Sequence, residues 1–169
     1  MKKLFLLFAF GAIFTPANAQ QNLSVGGQIG IPVSNISPNR SLNIGVNLAY
    51  TTPIAENLRL GIATGFSRYT KDDKPIIPIA AKAKYSFTKS PLFVDLDLGY
   101  ALNIRDSYSG FYTYPKIGYS IKKHDLFLGY QFVTGKQDVE VLNMPNVVTR
   151  KQNFNHGAIN IGYNYNFSF

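Results

Sequence analysis

The chain has 169 residues, of which 46% are hydrophobic, 14% aromatic and only 15% charged, and its formal net charge is +8. The low charged fraction and the mean hydropathy of −0.04 exclude an intrinsically disordered chain, which needs more charge, and a bundle of membrane helices, which needs long apolar runs. The absence of cysteine excludes disulfides, thiolate metal sites and cysteine nucleophiles.

The first nineteen residues have the pattern of a cleaved secretory signal. Two lysines precede an apolar run of eleven residues, and Ala17 and Ala19 are small residues at the positions that a signal peptidase reads. The alternative is a membrane anchor, but eleven residues rise only about 16 Å as a helix, about half of the hydrocarbon core. We therefore predict a signal peptide over residues 1–19 and one mature domain over residues 20–169.

From residue 20 onward, apolar and polar residues alternate with the period of two that is typical of β-strands, and no stretch keeps the helical period. The alternation predicts an all-β fold with eight strands, an even number. In chain order, the predicted strands cover residues 23–31, 42–50, 58–66, 77–87, 94–104, 111–121, 126–132 and 159–169.

The segments between these strands alternate between two kinds. The expected short turns are 52–57, 88–91 and 122–125. The expected loops, mostly longer and polar, are 33–41, 70–75, 105–110 and 135–154. Short turns at one end and longer loops at the other are typical of an antiparallel up-and-down transmembrane β-barrel, whose short turns face the periplasm.

The residues between the apolar ones indicate which column of side chains faces the lumen. On the five clearest strands, 18 of these 23 residues are Gly, Ala, Ser or Asn, and the other five are charged. A solvent-facing column of a soluble barrel would favour Lys, Glu and Thr, whereas small polar residues suit the narrow inside of an eight-stranded barrel. We therefore expect the apolar column to face lipid, with aromatic residues near both strand ends as interfacial girdles.

Aromatic residues occupy alternate positions at the end of the last strand: Tyr163, Tyr165, Phe167 and Phe169. With the signal peptide and the eight strands, this pattern resembles the small outer-membrane β-barrels of Gram-negative bacteria, the group of the OmpA barrel, OmpX and OmpW-like proteins, over essentially all of residues 20–169. In that family, a terminal Phe with alternating aromatic residues is the signal read by the barrel assembly machinery. The resemblance implies a porin-like or OmpA-like barrel in the cell outer membrane, with outer-membrane lipid and that machinery as partners.

Five charged residues of the lumen column are expected to pair inside the barrel: Lys82, Lys84, Asp95, Asp97 and Lys116. A tight hairpin over residues 88–91 would place Lys82 opposite Asp97 and Lys84 opposite Asp95. Lys116 follows on the third strand, within diagonal reach of Asp97. The cluster is either a selectivity lining or a plug of ion pairs that bridges the lumen, and the narrow interior of eight strands favours the plug.

Residue types that catalyse reactions are scarce. Histidine occurs only at His124, in an expected solvated turn, and at His156, at the start of the last strand. Neither is followed two residues later by the Ser that a family of lipid-A deacylases uses, and no spacing requires His156 to act with the acidic and hydroxyl residues of 105–110. Facing lysines make the pair Asp95 and Asp97 a poor acid/base or metal site. We therefore expect no catalytic, cofactor-binding or metal site and no enzymatic activity.

Basic residues gather on the loop side of the predicted barrel. They would form a ring that attracts the phosphate-rich outer leaflet, or they would only keep the loops soluble. The candidates for contact with lipid headgroups are Arg40, Arg68, Lys71, Lys74, Arg105, Arg150 and Lys151. A pI of about 9.6 does not indicate nucleic-acid binding here, because the positive charge is dispersed and no basic helix is present.

Three hypotheses for function follow from the sequence. The leading hypothesis is a non-enzymatic outer-membrane barrel with a structural or interaction role at the cell surface, through the loop 135–154. The valines, leucine and methionine of this loop exceed what solvation requires, so we expect it to pack on the rim, enter the outer leaflet or meet an unidentified surface partner. The alternatives are a narrow conduit for small apolar molecules and a lipid-modifying enzyme.

Overall fold

The computed structural model describes residues 20–33, 41–70, 75–103, 109–143 and 146–169, so the predicted signal peptide lies outside the described residues. The prediction of an all-β fold with eight antiparallel strands is confirmed, and most predicted strand ends lie within three residues of the observed ones. The strands are β1 (Asn22–Pro32), β2 (Asn43–Ala55), β3 (Leu58–Tyr69), β4 (Ile76–Ser86), β5 (Leu92–Asn103), β6 (Ser109–Ile121), β7 (His124–Asn143) and β8 (Asn146–Ser168).

Hydrogen bonds between β1 and β8 close the sheet into a barrel. Their register runs from Asn22 opposite Ser168 to Pro32 opposite Ala158, and every other pairing joins strands that are neighbours in sequence. Closure leaves no strand edge inside the bilayer, where each unpaired N–H or C=O group would cost several kcal/mol. The described residues contain no helix that is long and apolar enough to cross a membrane.

Three short connections lie at the same end of the barrel as residues 20 and 169. Residues 56–57 join β2 to β3, residues 87–91 join β4 to β5, and residues 122–123 join β6 to β7. Two of them are shorter than the predicted turns, because β2 continues to Ala55 and β7 already begins at His124. This short-turn end is the periplasmic end of a transmembrane barrel.

The two faces of the sheet have the expected composition. On the outer face, Ile161 is 65% exposed and Val46 is 60% exposed, whereas Asn43 and Asn160 in the lumen are fully buried. Exposed valine, leucine and isoleucine cover the outer face of every strand of the barrel. Such a continuous apolar surface is far larger than a soluble monomer exposes and matches the band that a membrane barrel presents to lipid.

β7 and β8 continue together beyond the rest of the barrel. They remain paired up to Asn143 opposite Asn146, whereas β6 pairs with β7 only to Lys136 and β1 pairs with β8 only to Ala158. Val33 adds one further hydrogen bond, from its N–H to the Gly157 carbonyl oxygen at 2.9 Å, and beyond these points the hairpin pairs only with itself among the described residues. We call its described residues between 137 and 152 the ribbon.

The prediction of a loop over residues 135–154 is therefore wrong. The two arms pair residue by residue, with Val141 opposite Val148 and Leu142 opposite Val147. Valine favours strands because its branched side chain fits the extended backbone, and paired valines stabilise a hairpin across its strands. On the β7 arm, Val139 and Val141 alternate with Asp138 and Glu140 as in an ordinary strand, whereas the consecutive polar residues 149–152 of the β8 arm suggested a loop.

Two prolines interrupt the hydrogen-bond ladder of the barrel. The pairing of β6 with β7 lacks the positions of Tyr114 and Pro115, and the pairing of β3 with β4 is likewise interrupted around Pro78. Proline cannot donate a backbone hydrogen bond, so each gap lies where the ladder would need one. At the second gap, Thr64 Oγ1 donates to the Pro78 carbonyl oxygen at 2.8 Å.

Candidate functional site

Charged residues of β4, β5 and β6 lie together in the lumen. Lys82 lies opposite Asp97, and Lys84 lies opposite Asp95. Lys116 on β6 lies opposite Asp95 as well. All five side chains are buried, so the strand register brings every member of the expected cluster into one part of the lumen.

Two lysines and two aspartates of this group form the charged network: Lys82, Lys116, Asp95 and Asp97. Lys82 Nζ donates to Asp95 Oδ2 and, at 3.1 Å, to Asp97 Oδ1. Lys116 Nζ donates to Asp97 Oδ2 at 2.5 Å and lies 3.6 Å from Asp95 Oδ2. Equal numbers of opposite charges give the network no net formal charge in a lumen where a lone charge would lose several kcal/mol of hydration.

Lys84 forms a second ion pair, nearer the short turns. Its Nζ lies 2.5 Å from Asp125 Oδ2 on β7, not at the carboxylate of its register partner Asp95. The other oxygen of Asp125 accepts a hydrogen bond from Ser120 Oγ at 2.5 Å. Because two other ammonium groups already surround Asp95, the long Lys84 side chain reaches across to a different strand. Lys84 therefore lies opposite Asp95 in the register as expected, but its ion pair is with Asp125.

Large aromatic rings fill the lumen beside glycines of the neighbouring strands. Phe93 lies opposite Gly118, and Phe127 lies opposite Gly162. A Cβ atom at Gly118 would lie 2.3 Å from the Phe93 ring, and a Cβ atom at Gly162 would lie 2.2 Å from the Phe127 ring. Each glycine therefore leaves the space that its partner ring occupies, which fills the lumen at close packing.

A chain of hydrogen bonds crosses the lumen, and we call its four buried polar residues the amide bridge: Tyr114, Gln28, Gln131 and Ser67. Tyr114 OH on β6 donates to Gln28 Oε1 on β1 at 2.9 Å, and Gln28 Nε2 donates to Gln131 Oε1 on β7 at 2.9 Å. Gln131 Nε2 then donates to Ser67 Oγ on β3 at 3.0 Å. Lys116 Nζ lies 4.6 Å from the centre of the Tyr114 ring, so the bridge contacts the charged network.

Little space remains at the height of the charged network. A cavity of about 20 Å³ borders Lys82, Asp97, Tyr112 and Lys116, which is room for about one water molecule. The sequence predicted that these charges bridge the lumen, but the charged network lies on three adjacent strands and does not span the barrel. The amide bridge and the aromatic rings occupy other parts of the lumen.

Sequence analysis missed several residues of this site. The sequence predicted a turn at Asp125, whereas β7 includes this residue. Leu126 and Leu128 face lipid, so extending the alternation of β7 by one residue toward its start would have assigned Asp125 to the lumen. Inward aromatic residues such as Tyr114 and Phe127 carried no signal of their own, because aromatic residues also mark the girdles. The hydrogen bond between Gln28 and Gln131 joins strands far apart in sequence, and no local pattern predicts it.

The predicted headgroup contacts are described only in part. Arg68 is exposed on the β3 strand. Arg150 and Lys151 belong to the β8 arm of the ribbon, where they lie opposite Val139 and Asp138 in the register. The other candidates lie outside the described residues: Arg40, Lys71, Lys74 and Arg105.

The two histidines have different surroundings. His124 is exposed at the start of β7, and its Nδ1 lies 2.6 Å from the Tyr163 hydroxyl oxygen. It is thus part of the aromatic surface rather than of a solvated turn. His156 is buried on the lumen side, with its ring 5.4 Å from that of Phe154 and 6.1 Å from that of Tyr69. Within the described ranges, no group of three or more His, Cys, Asp or Glu residues is placed to hold a metal ion.

The alternating aromatic residues of β8 lie on the outer face at the closing seam. Tyr163, Phe167 and Phe169 are exposed, and Tyr165 is half-buried. Phe169 exchanges two backbone hydrogen bonds with Gln21, at 3.0 and 3.2 Å. The residues of the expected assembly signal are therefore also the residues that complete the pairing of the last strand with the first.

Comparison with known proteins finds similarity in structure and not in sequence. No protein-family model and no curated protein sequence matches the chain. The outer-membrane protein OprG from Pseudomonas aeruginosa is 13% identical, with a TM-score of 0.55 over 88% of this chain and 96% of its own. The outer-membrane enzyme PagL is 13% identical, with a TM-score of 0.54 over 84% and 98%. Neisserial surface protein A is 17% identical, with a TM-score of 0.52 over 88% and 97%.

At such low identities the similarity concerns the fold, and it agrees with the closed barrel and the apolar outer surface. This chain therefore has the fold of the small eight-stranded outer-membrane β-barrels, and its surface is that of a protein embedded in the outer membrane.

Proposed function

We propose that this protein is a non-enzymatic outer-membrane barrel that acts at the cell surface through its ribbon. The observation that carries this proposal is the continuation of β7 and β8 beyond the strands that flank them. Such a hairpin leaves main-chain N–H and C=O groups available on its edges, which is the feature that recruits an added strand or another surface. The ribbon is the largest described part of the chain outside the barrel wall.

The filled lumen supports a role outside the barrel interior. The cavity beside the charged network has a volume of about 20 Å³, far below the 300–1,000 Å³ of a typical small-molecule site. Transport or binding inside the lumen would require the buried groups of the charged network and the amide bridge to separate, and each buried ion pair that is broken would cost several kcal/mol. The surface is thus the more accessible place for an interaction.

Shortening the ribbon tests this proposal. Replacing residues 138–151 by Asn-Gly joins the paired residues Gln137 and Gln152 through a two-residue hairpin turn. In cells that lack the native gene, we expect the shortened barrel to reach the outer membrane and show heat-modifiable migration on a denaturing gel, but to leave the membrane as permeable to an apolar dye as no barrel at all. Full restoration of the permeability barrier by the shortened barrel would contradict the proposal.

Contact of the ribbon with lipid headgroups is a separate proposal, which concerns Arg150 and Lys151. Anionic headgroups attract basic residues near the membrane surface by about 1 kcal/mol each. The double variant Arg150→Gln with Lys151→Gln should weaken the barrier partly if outer-leaflet phosphate is bound. A variant with an unchanged barrier would assign these two residues to solubility alone.

A conduit for small apolar molecules is the second candidate, and one observation favours it. The gap in the β6–β7 ladder at Pro115 is a place where the wall is held by fewer hydrogen bonds. Replacing Pro115 by Ile supplies the missing N–H and should slow uptake of a labelled alkane if molecules pass there. Equal uptake by the native protein, the variant and cells without the barrel would exclude this candidate.

The absence of enzymatic activity is likewise a proposal. It is supported by the burial of His156 between aromatic rings on the lumen side, away from the lipid face where a lipid substrate would bind. Mass spectrometry of lipid A with and without expression of the protein tests it. Identical lipid A spectra are expected, and a new mass difference of an acyl chain would contradict the proposal.

We propose that the aromatic residues at the end of β8 act in assembly. Deleting Phe169 removes its two hydrogen bonds to Gln21 and the terminal ring. We expect less barrel in the outer membrane of cells, with refolding from urea into detergent largely unchanged, because assembly machinery is absent in that experiment. Normal abundance in cells would contradict the assembly role.

A further inference from the structure

The outer face of the barrel carries a groove that crosses the middle of β6 and β7 and extends over β4 and β5 to Leu58 on β3 and Ile159 on β8. The groove has a volume of about 740 Å³ and is almost wholly apolar. Its lining includes the outward residues Ala83, Tyr85, Leu96, Pro115, Leu128 and Tyr130. Across the strands of the groove, the register places Ala83 beside Leu96 and Leu96 beside Pro115. The volume of the groove is that of a site for a small ligand or a lipid chain.

The β6–β7 hairpin ends in a basic turn. Lys122 and Lys123 are adjacent and exposed, and together they form the turn between β6 and β7. The nearest carboxylate in sequence, Asp125, points into the barrel, where Lys84 and Ser120 occupy both of its oxygens. The positive charge of the turn is therefore not balanced by its own acidic neighbour.

Aromatic side chains place this turn at the membrane interface. His124 holds the Tyr163 hydroxyl at 2.6 Å, and its ring lies 5.3 Å from that of Tyr165. Tyr119 is exposed on the adjacent strand. Tyrosines at the end of a membrane strand mark the level of the lipid headgroups, so Lys122 and Lys123 lie at the phosphate level of the periplasmic leaflet.

A continuous outward column joins the turn to the groove. The register pairs Ile121 with His124, and Ile117 with Leu128, so these residues follow one another along the same face of the hairpin. From Lys122 to Ile117 the strand rises about 16 Å, which is close to the half-thickness of about 15 Å of the hydrocarbon core. A lipid whose phosphate lies at the turn can therefore extend its chain into the groove.

We propose that the β6–β7 hairpin binds one anionic phospholipid of the periplasmic leaflet, with its phosphate at Lys122 and Lys123 and an acyl chain in the groove around Pro115. Charge complementarity selects an anionic over a zwitterionic headgroup, and the groove selects a lipid over a free phosphate. This site lies on the opposite side of the membrane from the ribbon, so the inference is independent of the proposed surface function.

Retention of lipid by the folded barrel tests the headgroup contact. The protein is released from nanodiscs of equal phosphatidylglycerol and phosphatidylcholine, and native mass spectrometry measures which lipid remains bound. Because each lysine near the surface contributes about 1 kcal/mol, Lys123→Gln should lower the ratio of retained phosphatidylglycerol to phosphatidylcholine about fivefold. Lys89→Gln, the same change in the β4–β5 turn, should leave the ratio unchanged.

Two alanines of β4 provide a test variant and a matched control for binding of an acyl chain in the groove. Ala83 lines the groove, whereas Ala81 lies two residues away on the same outer face and does not line it. Ala83→Phe should fill the groove and lower the retention of phosphatidylglycerol severalfold, and Ala81→Phe should not. Heat-modifiable migration verifies that each variant is folded.

The inference is overturned by any of three results. The first is equal retention of the two lipids by the native protein. The second is an equal loss of preference in Lys89→Gln and Lys123→Gln, which would show diffuse attraction instead of a site. The third is equal retention by Ala81→Phe and Ala83→Phe, which would show that no acyl chain occupies the groove.

Discussion

Two opposite walls of the lumen bury different kinds of side chain. The wall formed by β4 to β7 carries all six buried lysines and aspartates of the described chain, together with the rings of Phe93, Tyr112, Tyr114 and Phe127. The opposite wall, formed by β8 and β1 to β3, carries buried asparagine, serine and glutamine and several glycines, and its buried rings Tyr69, Phe154 and His156 lie together toward the end away from the short turns. The Phe127 ring of the first wall lies over Gly162 of the second.

This difference shows where buried charge is tolerated in a narrow barrel. The charged network joins β4, β5 and β6, three strands that are hydrogen-bonded neighbours. Adjacent strands hold opposite charges about 5 Å apart at the Cβ atoms, within reach of direct pairing. Charges spread around the lumen would lack such partners, and the amide groups of the second wall need only hydrogen bonds.

The largest effect is expected when the charged network is unbalanced. Asp97→Asn removes the carboxylate that bonds both Lys82 and Lys116, and it should lower the free energy of unfolding by about 3–5 kcal/mol. Asp95 engages the lysines through only one oxygen, so Asp95→Asn should cost about 1–2 kcal/mol less. Urea unfolding in lipid vesicles measures both values. A larger cost at Asp95 would contradict the network.

A charge outside the barrel should also be costly. Leu96 lies between Asp95 and Asp97 in sequence but faces lipid, so Leu96→Arg should lower the free energy of unfolding by about 2–4 kcal/mol near the bilayer centre. Asn164→Ser, a small polar change in the lumen, should cost less. The same unfolding titration compares them, and the reverse order would mean that the two faces are inverted.

A smaller difference between the two faces is expected for substitutions of glycine, because Gly162 in the lumen lies against an aromatic ring and Gly27 on the outer face does not. Gly162→Ala would push a Cβ atom into the Phe127 ring and should cost about 1–3 kcal/mol. Gly27→Ala on the outer face meets only a carbonyl oxygen at 3.4 Å and should be nearly neutral. Midpoints of thermal unfolding in detergent rank the two variants. Equal midpoints would show that the Phe127 ring moves aside freely.

The smallest expected effect concerns the hydrogen bonds that join the walls. Tyr114→Phe keeps the ring but removes the donor to Gln28 Oε1, and it should cost about 1 kcal/mol. Urea unfolding of the variant in vesicles provides the measurement. No loss of stability would mean that the amide bridge does not need its tyrosine.

The sequence predicted the barrel well because strand period, turn length and column composition act locally. The eight strands and the lipid-facing column follow from the alternation, and the closure of β1 on β8 follows because the bilayer tolerates no free strand edge. The register that aligns Lys82 with Asp97 followed from one short hairpin. These features depend on neighbouring strands, whose relation a single turn determines.

The contacts inside the barrel between strands far apart in sequence could not be predicted from the sequence. Lys84 reaches Asp125, 41 residues away, only because the closed barrel brings β4 and β7 across one lumen. The amide bridge likewise joins Gln28 to Gln131, 103 residues apart. The ribbon was missed for another reason, because only its β7 arm alternates and the consecutive polar residues 149–152 of the β8 arm indicated a loop.

Conductance tests the central claim of a closed lumen most directly. The charged network, the amide bridge and the aromatic rings occupy the lumen at mid-height, and the cavity beside the network has room for about one water molecule. The native protein in a planar bilayer should therefore show little or no steady conductance. Large and stable channel openings would contradict the closed lumen and would make a conduit the leading function.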